Sequence, residues 1–428
     1  MKHLGDVAFG DVLTVSRYEL SNGLSVLCLP DPTAPIVAYH TWYRVGSRYE
    51  TPGKTGLAHF FEHMMFNETE QLPMGEFDRR MEEAGADTNA ATWIDWTYYH
   101  ESLPAEELGT AIELEAERMG RLVVRKAQVE SEREVVANER KMAVDDDVQG
   151  AADERLHTMI FGESHPHGWP TIGWMGDIEA YRVADCRAFY KRWYAPNNAT
   201  VVVAGAFDTA DAIARIEQAY GRLRRSELGP PPVVPAVRLT RERRATMRWP
   251  TPTHKLAIAW LAPAYATFEH AVAEVVYELW LGGRSGRLRR RLVEELELVS
   301  ELRGGVGGLT HEGLFDLWVS LRDKREPARV LEVIEEEIAR LADGDVSDEE
   351  LDKVKSRGEL FALSHIETSG GKAYQIGYGE TVCGDPSHLF VRMDELRRVS
   401  AADVRRFARE RLGASRRAIV RVEPGGVE

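Results

Sequence analysis

The chain has 428 residues, 43% hydrophobic and 29% charged, with a formal net charge of −15. That size supports two or three domains with real cores, and the acidic balance argues against nucleic acid as the main partner, because phosphate binding needs clustered Lys and Arg. The three cysteines, Cys28, Cys186 and Cys383, lie far apart and form no CxxC, which excludes a disulfide framework and a cysteine-rich metal site and fits a reducing compartment. The first residues show no secretory apolar core, and no stretch approaches about 18 apolar residues. A cytoplasmic protein without a membrane span is expected.

In chain order, "VSRYELSNGLSVLCLP" predicts two strands joined at Asn22-Gly23, a hairpin signal. "APIVAYHTWYRVGS" predicts another strand. Apolar residues at helical spacing follow in "GLAHFFEHMMF", "MGEFDRRMEEAG" and "PAEELGTAIELEAERMGRLV". "TWIDWTYYHESL" reads as a strand, "VESEREVVANERKMAVDDD" as one long helix, and "VADCRAFYKRWY" then "NATVVVAGAF" as a helix and a strand. The proline cluster in "SELGPPPVVPAV" cannot continue a helix or a central strand and reads as a linker. Beyond it, "ATMRWPTPTHKLAIAWLAPA" alternates like a strand, and "FEHAVAEVVYELWLGG" and "GRLRRRLVEELEL" are helical. "GLFDLWVSLR" is a strand, followed by three helical stretches and the strand "RRAIVRVEP". Both halves end on a helix followed by a short apolar strand. The expectation is two related α+β domains, each a mostly antiparallel sheet packed with helices. They would span residues 1–225 and 237–428, with 226–236 as a Pro-rich linker.

The chemistry concentrates in "HFFEHMMF". His59 and His63 are four residues apart, hence on one helix face, one turn apart. Two imidazoles so placed can share a zinc ion, and Glu62 between them can reach a water on that metal. This is HxxEH, the reverse of HExxH. Paired histidines on a helix also occur as hydrogen-bonded core residues. Glu62 weighs against that, because a carboxylate among large apolar side chains is costly unless it is paired or does chemistry. In the helix that follows, Glu132 and Glu139 are seven residues apart and share a face, with Glu134 off it. A solvated charged helix is the plain alternative. One carboxylate added to the two histidines would complete the three-ligand, one-water pattern of catalytic zinc. His165 and His167, flanked by proline, read as loop residues rather than ligands.

With these motifs in place, the chain resembles the pitrilysin/insulinase-type zinc metallopeptidases, the inverzincins. The likeness is strongest to short bacterial members similar to mitochondrial processing peptidase. The resemblance implies that the third ligand of a single zinc ion is the glutamate 76 positions past His63, which is Glu139. Members often read Glu-Glu there; here it is Asn138-Glu139. It implies that Glu132 supports a ligand histidine and that Glu62 is the general base. "NAATWIDWTYYH" is similar to the family's edge strand beside the zinc, which implies that Asn89 and Ala90 bind substrate backbone. A turn residue is the alternative role for Asn89. The implied activity is endopeptidase cleavage of peptides or unfolded segments inside a closed chamber.

Active members also carry an arginine and, seven residues later, a tyrosine in the second domain. The matching positions here are Val293 and Ser300, with Arg291 and Arg303 nearby but out of register. The second domain is therefore expected to be inactive. The resemblance implies a heterodimer whose paralogous partner supplies the Arg/Tyr pair, or else reduced activity from this chain alone. A zinc-retaining structural or peptide-binding subunit with little activity of its own is the alternative.

Overall fold

In a computed structural model of the chain, residues 1–322, 325 and 327–425 are described. The order begins β1 (Lys2–Phe9), β2 (Leu13–Glu19), β3 (Ser25–Pro30), β4 (Ile36–Tyr43), α1 (Leu57–Met64), α2 (Glu76–Glu83), β5 (Asp87–Thr92) and β6 (Thr97–Pro104). Helices α3 (Leu108–Arg121), α4 (Lys126–Arg140), α5 (Val148–Phe161), α6 (Met175–Glu179) and α7 (Val183–Trp193) lead to β7 (Ala199–Gly205) and α8 (Thr209–Tyr220). Then come β8 (Arg243–Trp249), β9 (Lys255–Ala262), α9 (Phe268–Leu281), β10 (Val299–Val306) and β11 (Gly313–Leu321). Further helices include Pro327–Asp343, Asp348–Ser364, Ser369–Tyr378 and Ala401–Arg411, before β12 (Arg417–Pro424).

The first sheet has the order β1-β2-β3-β7-β4-β6-β5, and the second β10-β11-β9-β12-β8. In the first, only β3 and β7 pair parallel; in the second, only β8 and β12 do. The architecture is thus α+β, with two mostly antiparallel sheets. Strand β7, "ATVVVAG", is buried along its whole length, as a β-branched run in the middle of a covered sheet should be. Strand β6 alternates buried and half-buried residues, so it packs on both faces with different neighbours.

Two compact units emerge, neither continuous in sequence. One comprises 1–140, 170–233 and 362–391; the other comprises 141–169, 234–361 and 392–428. The chain passes between them inside the proline-rich stretch, at Val233–Val234. The reason is sheet coverage. In the second unit, Ala152, Leu156 and Ile160 of α5 pack under Ala257, Ala259, Trp318 and Val420. In the first unit, the helix Ser369–Tyr378 lies on β4 and β7, with Tyr374 against Trp42 at 5.5 Å between rings. Gly377 permits that approach, since a Cβ there would lie 2.0 Å from the Trp42 indole nitrogen. Each sheet takes a covering helix from the opposite half of the sequence.

Three sequence expectations are adjusted locally. The long helix expected over 129–147 ends at Arg140 and passes into a π-helical turn, Lys141–Asp145. Asp147 then starts a new helix, its carboxylate accepting from the Gly150 amide at 2.7 Å. The strand expected over "TWIDWTYYHESL" begins only at Thr97, because Trp93–Trp96 form the hairpin turn, closed by Trp93 N–H to Trp96 O at 2.8 Å. The alternating stretch after the linker is two strands, broken at Pro250–His254. Strands β1 and β10 were not anticipated; their Gly- and charge-rich sequences carry little β signal.

Candidate metal centre

Helix α1 buries Leu57, Ala58, Phe60, Phe61 and Met64, all part of the first unit's core. Phe61 stacks with Phe189 and Tyr190, and Phe60 meets Tyr181 edge-on. That anchoring leaves His59, Glu62 and His63 half-buried on the remaining face. Helix α4 lies against α1 and brings Glu132 and Glu139, two turns apart, to the same side.

The donors converge. His59 Nε2 lies 3.5 Å from Glu139 Oε1, and His63 Nε2 lies 3.2 Å from Glu139 Oε2. Among the described residues, His59, His63 and Glu139 form the one group of three or more His, Cys, Asp or Glu whose ligand atoms lie within 4.8 Å of one another. Ligand atoms around a tetrahedral zinc with bonds of about 2.1 Å lie roughly 3.4 Å apart. Both distances, each to a different oxygen of Glu139, lie near that value. The donor set, two imidazole nitrogens and one carboxylate, is the type zinc prefers in catalytic sites, and these residues fit the metal. Glu62 Oε2 is buried and makes no hydrogen bond, which suits a carboxylate beside a metal position and its water.

Around the donors, His63 Nδ1 faces Glu132 Oε1 at 3.3 Å, and Glu132 Oε2 accepts from Asn67 Nδ2 at 2.9 Å. A carboxylate on the far nitrogen fixes the ring and directs Nε2 at the metal position. His59 Nδ1 has no such partner. Burial pushes the His63 imidazole down, but hydrogen bonds and charge from Glu132 and Glu139 overcome it and raise the group to about 9. Hydrogen bonds from His59 and His63 hold the Glu139 carboxyl far below the usual carboxylate range, against its burial. Burial opposes the same effect at Glu132, whose carboxyl is lowered by His63 and Asn67.

Strand β5 is an edge of its sheet, paired only to β6. Asn89 is exposed on it, opposite His100, and its Oδ1 accepts from the Ala90 amide at 2.8 Å. Ala90 packs against the core. Helix α1 lies against β5, so the edge runs beside the donor cluster. Val293 is half-buried in a π-helical turn of the second unit, and Ser300 is exposed on β10 with its hydroxyl bonded to Ser320 O at 3.2 Å. Arg291 is engaged by Glu336 and, at 2.8 Å, by Glu337. His165 and His167 tie a loop, with His165 on Pro235 O at 2.9 Å and His167 on Glu312 O at 3.0 Å. Sequence reading missed Asn67 and also Tyr99, whose hydroxyl donates to Phe61 O at 3.0 Å. Neither lies in a spacing motif.

Fold and site together define a two-unit α+β protein with an HxxEH helix whose two histidines meet Glu139 in a donor set suited to a metal. The family description "Insulinase (Peptidase family M16)" matches residues 25–168, and "Peptidase M16 inactive domain" matches 182–357. The chain belongs to this pitrilysin/insulinase-type family. It is 29% identical over 365 residues to the zinc protease PqqE of Helicobacter pylori, covering 83% of this chain and 80% of that one. A crystal structure of a protease from Helicobacter pylori superposes with a TM-score of 0.91 at 25% identity, over 96% of this chain and 100% of that one. The periplasmic protease PqqL from Escherichia coli matches with a TM-score of 0.78 at 21% identity, over 99% of this chain and 48% of that one. Among the described residues, no helix is long and apolar enough to cross a membrane.

Proposed function

We propose that the chain is a zinc-dependent endopeptidase subunit that hydrolyses peptides or unfolded segments. The observation that carries this reading is the convergence of His59, His63 and Glu139 on one point beside Glu62. His59 and His63 through Nε2, and Glu139 through its carboxylate, would hold one zinc ion. Zinc bound there supplies Lewis acidity, bringing the pKa of a coordinated water to about 7. Glu62 accepts the proton of the attacking water on its carboxylate and returns it to the leaving amine. Glu132 keeps the His63 ring turned toward the metal, and Asn67 keeps Glu132 in place. The free edge of β5 pairs with an extended peptide, with Asn89 and Ala90 on the strand that receives it. Such pairing reads backbone more than sequence and favours unfolded segments.

We further infer that a paralogous partner completes the site with an arginine and a tyrosine, within a closed chamber. In support, Val293 and Ser300 offer neither cation nor phenol for an oxyanion, and Arg291 is held by two glutamates. The same loss favours a second reading, a zinc-retaining peptide-binding subunit. The retained Glu62, with a buried and unpartnered oxygen, weighs against it. Three free cysteines favour a reducing, cytoplasmic setting, unlike that of PqqL.

The test is hydrolysis of a quenched fluorescent peptide by the chain alone and with its paralogue. Activity only with the paralogue supports the heterodimer. Full activity alone contradicts the need for a partner, and bound zinc with no activity in either state favours the binding subunit.

A further inference from the structure

Helix α1 begins without a cap of its own. Its N-cap residue is Gly56 in the left-handed region, φ 86°, with no side-chain hydrogen bond to the helix. No other residue fits, because a Cβ on Gly56 would lie 2.3 Å from Ile172 O. Ser, Thr, Asp or Asn, the side chains that normally satisfy the first amides of a helix, are therefore excluded by space. The equivalent helix of the second unit, α9, has the ordinary solution: Thr267 caps it by accepting from the His270 amide.

In α1 the acceptor comes from six residues upstream. Glu50 is buried, 6% exposed. Its Oε2 accepts from the Gly56 amide and its Oε1 from the Ala58 amide, both at 2.7 Å. Burial pushes the Glu50 carboxyl upward, and these two amides oppose the rise. The loop is braced again one residue earlier, where Asp177 Oδ2 accepts from the Thr55 amide at 3.0 Å and from its hydroxyl at 2.7 Å. At the other end, Tyr99 holds Phe61 O. The helix has only eight residues, too short to persist without fixed anchors, and it carries all three HxxEH groups.

We propose that Glu50 is the positioning residue of the HxxEH helix, bridging its first amides so that His59, Glu62 and His63 keep their common aim without itself touching metal or substrate. This rests on the metal-site reading above. It explains why a buried carboxylate stands where no opposite charge meets it among its hydrogen-bond partners: a helix N-terminus is a ready anion site. Gln in its place keeps one acceptor and sets an NH₂ group against the second amide. Asp keeps the charge but is one methylene short.

The test uses the full chain and the variants Glu50→Gln and Glu50→Asp. Zinc affinity is read by chelator competition, and hydrogen exchange of peptides covering 54–66 is read in metal-free protein. Expected for Glu50→Gln is zinc binding weaker by about 10–100-fold, the range for losing a group that orients ligands. Exchange over 54–66 should be at least tenfold faster, with the rest of the chain unchanged and Glu50→Asp intermediate. Zinc affinity within twofold of the parent, with unchanged exchange over 54–66, would overturn the proposal. So would a lower melting temperature with neither readout altered, which is what a merely structural carboxylate predicts. If Glu50→Gln fails to fold, Glu50→Asp carries the same two readouts. If the parent chain itself binds no zinc, the metal-site reading fails, while the exchange readout still decides whether Glu50 fixes the helix.

Discussion

The two units contain the same five-strand arrangement. Strands β3-β7-β4-β6-β5 of the first correspond in order, and in their single parallel pair, to β8-β12-β9-β11-β10 of the second. The helix after the second strand of each set differs sharply. In the first unit it is α1, which exposes two imidazoles and a carboxylate to a facing helix. In the second it is α9, with nine buried residues. Its one histidine, His270, is fully buried and bonded to Gly307 O at 3.1 Å. Arg392 occupies the other ring nitrogen and pairs with Glu274 at 3.0 Å. One scaffold position thus carries a candidate metal site in one copy and core in the other. Function follows from which side chains converge at that position, not from the fold.

The largest effect that should separate the two copies is at Glu62. Glu62→Gln should lower the turnover of the active assembly by about 10²–10⁴-fold while zinc content stays near that of the parent, measured together on one preparation. His63→Ala should abolish stoichiometric zinc binding by removing a ligand. His270→Ala should leave zinc binding untouched, which metal analysis of both proteins checks. A smaller change is expected for Glu132→Gln, with zinc affinity weaker by about 10–100-fold, read by chelator competition.

The pH dependence of the metal-free protein should show opposite signs for the two histidines. Because the folded His63 is raised to about 9, its contribution is fully present below about 6.5, the unfolded value. It is lost as pH rises through 9. His270 is lowered to about 4, chiefly by burial, so its contribution is present above about 6.5 and lost as pH falls toward 4. Thermal melts across pH 4–10 should lose the alkaline limb in His63→Ala and the acid limb in His270→Ala. The smallest effect is the stability cost of His270→Ala itself, about 1–3 kcal/mol for the half-buried Gly307 carbonyl that loses its partner, measured by denaturant unfolding.

Much of the site was readable before any coordinates. The i, i+4 histidines and the i, i+7 glutamates are periodicities, and helix geometry turns them into faces. Bringing α1 and α4 together over a gap of 76 residues came from family resemblance, not from spacing. Most strands of both sheets were legible for the same local reasons. What was hidden is long-range or turns on space. Nothing in "SGGKAYQIGY" marks it as cover for the first sheet until Gly377 is seen against Trp42. Nothing in "RYETPGKTG" marks Glu50 as a cap until Gly56 is found wedged against Ile172. Asn67 and Tyr99 likewise act through single hydrogen bonds that leave no period in the sequence.

The most direct test of the central claim is an anomalous-scattering crystal structure of the zinc-loaded protein, collected at the zinc edge. The account predicts one strong peak in the first unit, within bonding distance of His59 Nε2, His63 Nε2 and a Glu139 oxygen, with none at α9. A zinc peak elsewhere, or none in protein that remains folded, would contradict it.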